Sequence, residues 1–335
     1  MPGFKSRSRP DYLSIVVFMT KAILLFSTGL DSLLALYLLK KAGIDVVALI
    51  IKTPFNKINY EVLEEVKKHS KVIIHEVGED YLEIIRNPKF GYGKQMNPCI
   101  DCKIYMYKVA KKILEEEKAD FIATGEVLNQ RSFSQSKDKL ILIEREAGVE
   151  GLVVRPLSLK LLPKTLPEEK GLIRRENFLD LKGRGRKSQL KLVREFGISV
   201  YSQPAGGCSL TDPNFSKRLM DLIKHNQKIS VEDVELLKIG RHFRIRNSKL
   251  ILGRNERESK LLENAKKYFL LKPKGKGPSG IFIGEEKDLI LACEILASYC
   301  KNGNVNVEIF IVEEKLKEIE VVRRSKEEFK EFLIA

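Results

Sequence analysis

From Ala22 onward, short apolar runs alternate with stretches whose apolar positions recur at helical spacing, the pattern of βαβ units that build a parallel sheet. Strands are predicted at Ala22–Phe26, Asp45–Lys52, Lys71–Val77, Asp120–Thr124 and Gly151–Arg155, and helices at Asp31–Lys41, Tyr60–Ser70 and Tyr105–Glu117. Their sum is an α/β fold with a doubly wound parallel sheet. After Pro156 the texture changes: Pro163 and Pro167 precede a basic segment around Gly183 and Gly185, which feeds a helix at Ser188–Phe196. From about Val231 the runs Lys249–Gly253 and Val305–Val312, with an apolar helical stretch at Leu289–Tyr299, predict a smaller C-terminal α+β domain. The expected division is therefore an extension over 1–20, a nucleotide-binding domain over 21–230 and a basic α+β domain over 231–335.

Lys5, Arg7 and Arg9 precede the apolar run Tyr12–Met19, which imitates a secretory leader. Lys21 interrupts that run and no small-x-small cleavage site follows, so the expectation is no leader, with Met19 a candidate start. No other segment approaches the roughly 18 apolar residues that a membrane span needs, so no membrane partner is expected.

The 335 residues suit about two domains, and 43% hydrophobic with 31% charged residues exclude wholesale disorder. Lys and Arg exceed Asp and Glu by 60 to 45, a net charge of +15, which makes a polyanionic partner, nucleic acid first, the expectation. Between Lys160 and Glu195 stand 11 basic and 5 acidic residues. Five cysteines in a chain too long to need disulfide staples fit a reducing cytoplasm.

Two segments carry chemistry. In Leu24–Ser32 a strand, a turn of small residues and a helix start follow in the order that leaves backbone N–H groups unsatisfied and open to phosphate. Ser27, Thr28 and Ser32 add hydroxyls; Asp31 reads either as a Mg²⁺ ligand on the phosphates or as a helix N-cap. The second segment is Cys99-Ile100-Asp101-Cys102 at a helix entry, with Cys208 far along after Gly206 and Gly207. Such thiols serve zinc, a redox or persulfide relay, or an iron–sulfur cluster with one open iron. Cys293 and Cys300, seven apart on an apolar helix, are expected in a core.

Ser27-Thr28-Gly29-Leu30-Asp31-Ser32 is similar to the Ser-Gly-Gly-x-Asp-Ser loop of PP-loop ATP pyrophosphatases, with Thr28 at the first glycine. Ala123–Gln135 resembles the Thr-Gly-Glu-x-Leu-Gly-Gln…Ser-Gln segment of tRNA 4-thiouridine synthetases, with Asn129 at the glycine. With the three cysteines, residues 22–215 resemble tRNA thiolation enzymes. The resemblance implies an adenine nucleotide alpha hydrolase-like fold and cleavage of ATP to AMP and pyrophosphate. ATP would rest on Ser27, Thr28, Gly29, Asp31 and Ser32, with Lys52, Thr53, Gly125 and Gln130 completing its site and Asp31 holding Mg²⁺. It further implies that a tRNA uridine carbonyl is adenylated and its oxygen replaced by sulfur, with 4-thiouridine at position 8 favoured. Cys99, Cys102 and Cys208 would act as catalytic residues and as ligands of a [4Fe-4S] cluster, fed by sulfide or a persulfide donor. Wobble-uridine 2-thiolation through a cysteine persulfide, and a non-enzymatic RNA-binding protein on a relic fold, are the alternatives.

Arg131, Lys182, Arg184, Arg186 and Lys187 are the expected tRNA contacts beside the crevice. Gly240–Ile245 resembles an RNA-binding module of ribosome-associated proteins, or else forms a hairpin with a solvated charged face. Arg241, His242 and Arg244 are its expected RNA contacts, and Lys272, Lys274 and Lys276 are expected on a mobile basic arm. A homodimer is among the expected partners.

Overall fold

The computed structural model describes residues 19–202, 207–301 and 303–335. The expectations placed on Lys5, Arg7, Arg9, the run from Tyr12 to Phe18, and Gly206 lie outside the described residues.

The first unit rests on five parallel strands. β1 (Lys21–Leu25) leads through a tight turn into α1 (Leu30–Lys41), followed by β2 (Asp45–Lys52), α2 (Tyr60–Lys67) and β3 (Lys71–Glu76). Then come α3 (Glu79–Arg86), α4 (Cys99–Glu116), β4 (Phe121–Thr124), α5 (Lys137–Ala147) and β5 (Val153–Val154). α6 (Leu166–Glu169), α7 (Lys187–Glu195) and α8 (Pro213–His225) follow. The strand order is β3-β2-β1-β4-β5, every pairing parallel. Val46 to Ile51 are all buried, because a central parallel strand covered on both faces has no solvent side. Leu34, Leu39, Val62 and Val193 fill the core on one face, and Tyr81, Ile104, Ile143 and Leu219 fill the other, so the sheet is doubly wound. The chain runs from β1 outward through β2 and β3 and returns to β4 on the other side of β1. The carboxyl ends of β1 and β4 therefore flank a topological switch point, where open α/β sheets bind ligands.

The elements depart from the hydrophobic pattern in identifiable places. α4 starts at Cys99, not Tyr105, so the Cys-x-x-Cys pair lies in its first turn. β5 shrinks to two residues between Gly151, in a turn at φ +71°, and Pro156, which has no N–H to extend the ladder. α3, α5 and α8 stand where no element was predicted.

α9 (Val231–Leu236) leads into β6 (Arg241–Ile245), β7 (Ser248–Leu252), α10 (Glu256–Glu263), β8 (Phe269–Pro273) and β9 (Gly280–Ile283). α11 (Leu289–Ala297) and the long hairpin of β10 (Asn304–Ile311) and β11 (Glu314–Val322) complete an antiparallel sheet of order β11-β10-β8-β9-β7-β6. Its core joins Phe243, Leu250, Phe282, Leu296 and Val307, and includes Cys293 and Cys300 as expected. Lys272 belongs to β8, and Lys272 and Lys274 pair with Glu263 and Glu318, so the expected mobile arm is instead a ladder strand and its continuation. Asp221 on α8 joins the two sheets: it accepts hydrogen bonds from Arg244 at 2.9 and 2.6 Å and from Lys249 at 3.3 Å. Among the described residues, no helix is long and apolar enough to cross a membrane.

One buried carboxylate fixes α4 against the sheet. Glu126, just past β4, accepts from Tyr107 Oη at 2.7 Å and Arg155 Nε at 2.9 Å, and pairs with Lys103. Lys103 and Tyr107 are four apart on α4 and share a face. Arg155 also pairs with Glu144 on α5 and donates to Tyr107 Oη at 3.1 Å, so two cations and two carboxylates close a neutral network. Burial opposes the Glu126 charge, yet Lys103 and Arg155 outweigh it and hold the carboxyl down at about 2.

A depressed carboxyl stabilises the fold above its unfolded pKa of about 4.3, and that contribution fades as pH falls toward 2. The shift corresponds to about 3 kcal/mol. Glu126→Gln should therefore lower stability at pH 7 by about 3 kcal/mol, since it leaves buried cations underpaired. It should also flatten the acid limb of the urea-unfolding free energy between pH 5 and 2; an unchanged limb would remove Glu126 from this role.

Candidate active site

The turn between β1 and α1 is held open by its own side chains. Ser32 Oγ donates to the Gly29 carbonyl at 2.9 Å and accepts from Ser27 N–H at 3.3 Å, and the Ser27 and Ser32 hydroxyls stand 3.2 Å apart. Gly29 caps α1 in extended conformation without a side-chain bond, so the first-turn N–H groups remain available to an anion. Asp31 lies inside that first turn and is not the N-cap. Thr28 takes φ +57°, a left-handed conformation costing a β-branched residue on the order of 1–2 kcal/mol. It is retained by bonds: Thr28 Oγ1 accepts from Asn59 N–H at 2.9 Å, and its carbonyl accepts from Ser202 Oγ at 2.7 Å.

Gly125 presses on this turn from β4. A Cβ there would lie 2.4 Å from Ser32 N and 2.6 Å from the Asp31 carbonyl carbon, both backbone atoms that cannot move aside cheaply. The loop beyond it turns at Asn129, φ +59°, whose N–H donates to the Gln135 carbonyl at 2.8 Å. Asn tolerates this region better than most residues, which accounts for its standing at the glycine of the resembled segment.

Asp31 is surrounded by donors. Arg186 pairs with its Oδ2, Gln130 Nε2 donates to the same oxygen at 3.2 Å, and Gln189 Nε2 reaches Oδ1 at 3.4 Å. Both oxygens are thus in contact with donors, Oδ1 only through the longer Gln189 contact. Arg186, expected to contact RNA, instead pairs with Asp31 in the first turn of α1 and is only partly exposed. Lys182, Arg184 and Lys187, its neighbours, are exposed, and Gly183 N–H donates to the Leu128 carbonyl at 2.7 Å, which straps this basic loop to the edge of the crevice. Lys52 and Thr53 are engaged by their neighbours. Lys52 forms an exposed pair with Glu76 at 2.6 Å, and Thr53 Oγ1 accepts from the N–H groups of Phe55 and Asn56 at 3.2 Å, closing a turn.

The three cysteines come together at the same sheet end. Cys99 and Cys102 ride the first turn of α4, and the segment after Cys208 is tied to the end of β2 by Ser209 N–H donating to the Phe55 carbonyl at 2.9 Å. Each thiol lies within electrostatic reach of the others. Asn97 Nδ2 donates to Cys99 Sγ at 3.2 Å, and Tyr81 Oη stands 3.0 Å from Cys102 Sγ. Burial pushes Cys102 up to about 12, partly offset by Tyr81, and pushes Cys208 up to about 11, so both are protonated thiols here. Among the described residues no group of three His, Cys, Asp or Glu side chains is arranged to hold a metal ion. The donor chemistry, three soft thiols from two segments, is nonetheless the kind an iron–sulfur cluster takes. The loop 129–135 links both features: Gln130 touches Asp31, Arg131 acts electrostatically on Cys208, and the Ser134 carbonyl accepts from Lys103 Nζ at 3.0 Å.

In the C-terminal sheet His242 is fully buried, with Nε2 at 2.8 Å from the Ile239 carbonyl, and burial drives its pKa well down; it cannot touch a phosphate. Arg244 is held by Asp221 and also leaves the RNA-contact set. Arg241 remains accessible. Sequence reasoning missed Tyr81, Asn97, Lys103 and Gln189. Asn97 and Lys103 flank the cysteine pair in the chain and could have been suspected; Tyr81 and Gln189 arrive only through tertiary packing.

Gly125→Ala is expected to displace the start of α1 and weaken ATP binding at least tenfold in isothermal titration, with Tm lowered by a few degrees. ATP affinity equal to that of the unsubstituted protein would show that the close approach at Ser32 is not what shapes the site.

Residues 18–159 match the family described as Thiamine biosynthesis protein (ThiI), and residues 240–333 match the NFACT protein RNA binding domain. A probable tRNA sulfurtransferase of Methanocaldococcus jannaschii is 28% identical over 142 residues, covering 41% of this chain and 36% of that protein. Probable tRNA sulfurtransferases of Methanobrevibacter smithii (30% over 144 residues; 41% and 37%) and Methanothermobacter thermautotrophicus (26% over 241 residues; 67% and 54%) are similar too. The chain thus spans between about a third and about half of the length of these relatives. A solved 4-thiouridine synthetase–RNA complex with bound ATP aligns at TM-score 0.36 and 21% identity, over 65% of this chain and 52% of that one. The chain thus carries one segment similar to the ThiI family and a second similar to an NFACT RNA binding domain.

Proposed function

We propose that this protein is an ATP-dependent tRNA sulfurtransferase of the cytoplasm, converting a uridine to a thiouridine, with 4-thiouridine at position 8 the favoured product. What carries the reading is one juxtaposition: the phosphate-binding turn and three cysteines stand at the carboxyl end of one parallel sheet, bridged by the loop 129–135.

ATP would bind with its phosphates on the N–H groups of Gly29 and the first turn of α1, Ser27 and Ser32 adding hydroxyls. Asp31 would exchange Arg186 for Mg²⁺, freeing the guanidinium to face the phosphates. Exposed Arg131, Lys182, Arg184 and Lys187 would hold the tRNA backbone, and the cost of extruding the uridine, a few kcal/mol, would be offset by such contacts. The uridine carbonyl oxygen attacks the α-phosphate, the bond to the bridging oxygen breaks, and pyrophosphate leaves. A sulfide sulfur then adds to the activated carbon, and AMP departs carrying the original oxygen. With a persulfide donor the outer sulfur adds instead, and a second cysteine thiol cleaves the S–S bond, releasing thiouridine and leaving a cysteine disulfide that an external dithiol reduces. Cys99, Cys102 and Cys208 would hold a [4Fe-4S] cluster, whose contribution when bound is an open iron that accepts exogenous sulfur. Positioning and charge neutralisation supply most of the acceleration.

Anaerobically purified protein given tRNA, ATP, Mg²⁺ and sulfide should yield thiouridine by nucleoside mass spectrometry, with one AMP and one pyrophosphate per thiouridine. Asp31→Ala should abolish pyrophosphate release, and Cys208→Ser should reduce thiouridine at least a hundredfold. Absence of thiouridine from a folded, ATP-binding protein would sink the proposal; a colourless preparation containing zinc in place of iron would remove the cluster from it.

A further inference from the structure

In the C-terminal unit many cations are paired: Lys238 with Glu235, Arg246 with Asp288, Arg254 with Glu258 and Lys274 with Glu318. Arg241 and Lys326 are different. Among the described residues neither has a carboxylate within ion-pairing distance; both lie over the same aromatic ring. The Arg241 guanidinium carbon is 5.0 Å and Lys326 Nζ 4.6 Å from the centroid of Tyr299. Tyr299 follows α11 and is partly exposed, and the edge contact of its ring with buried Phe243, centroids 6.1 Å apart, fixes its plane. Arg241 is also held by the Gly253 carbonyl, which accepts from Nη1 at 3.3 Å. Lys326 is exposed, and so is Arg323 three residues before it; the nearby acid, Glu327, has Lys330 as its partner at 3.6 Å. A rigid aromatic plane and a fixed guanidinium, with cations left uncompensated around them, are the ingredients of single-stranded RNA recognition: a base stacks and its flanking phosphates meet positive charge.

We propose that Tyr299, Arg241 and Lys326 form a platform on which an unpaired nucleobase of the bound RNA stacks. The assignment deepens the tRNA reading above and rests on it. Its chemistry selects unstacked bases over helical RNA without reading their identity.

The test uses the full chain, an unmodified tRNA transcript and a blunt RNA duplex with no unpaired base, with binding followed by fluorescence anisotropy. Tyr299→Leu should weaken tRNA binding about tenfold and leave duplex binding unchanged, while Tyr299→Phe should bind like the unsubstituted protein. Arg241→Met and Lys326→Met should each reduce the slope of log affinity against log salt by about 1. A single strand carrying 2-aminopurine should be quenched on binding the unsubstituted protein, a readout that needs no variant to fold. Full tRNA affinity in a folded Tyr299→Leu, or an unquenched 2-aminopurine, would overturn the platform and leave the tRNA reading standing. Failure of the unsubstituted protein to bind tRNA at all would overturn both.

Discussion

The Glu126 carboxylate sets the geometry on which the rest of this structure depends. Taken into the interior alone, a carboxylate would be neutralised or excluded; here Lys103 and Arg155 keep it ionised, and Tyr107 supplies a third donor. Because Lys103 immediately follows Cys102, the ion pair fixes the rotation of α4 and hence the direction in which its first turn offers thiols. Because Glu126 immediately follows Gly125, the same bond fixes the β4 end that closes on α1. Two motifs, some seventy residues apart in the chain, thereby share one rigid frame.

Within that frame Asp31 is compensated by Arg186 and two amides, so the carboxylate in the first turn of α1 is not left unpaired. Cys102 and Cys208, in contrast, are kept neutral by burial, and Asn97 and Tyr81 are placed at the sulfurs of Cys99 and Cys102. A site that holds nucleophilic sulfur protonated until a ligand or electrophile arrives avoids spending it on water or oxidants. The second sheet is tied to this frame through Asp221, which takes Arg244 and Lys249 from the hairpin and so turns two basic residues into structural ones.

Much of the first sheet was legible because buried parallel strands leave continuous apolar runs, and the phosphate turn because its small residues announce it. The start of α4 was less so: the cysteines stood at a helix entry but the helix was predicted only from Tyr105, although Pro98 sits at its N-cap and the thiols belong to its first turn. Thr28 and Asn129 both occupy left-handed conformations where the resembled patterns carry glycine, and nothing local in the sequence reveals the hydrogen bonds that retain them. The basic tail misled most. Arg244 and His242 looked like a nucleic-acid patch, but charge along a strand does not say which face it takes, and pairing with Asp221 or burial removed both from the surface. Tyr299 drew no attention as a single aromatic in an apolar helix; its meaning comes from two cations delivered by segments eighty-five residues apart.

The central claim is that the nucleotide turn and the thiols act on one uridine in succession, through an adenylated carbon. The most direct measurement follows the oxygen. With tRNA bearing ¹⁸O at the target carbonyl, mass spectrometry of the released AMP should find one labelled oxygen for each thiouridine formed. Thiouridine accumulating beside unlabelled AMP would contradict the account, because sulfur would then have entered without passing through the adenylate.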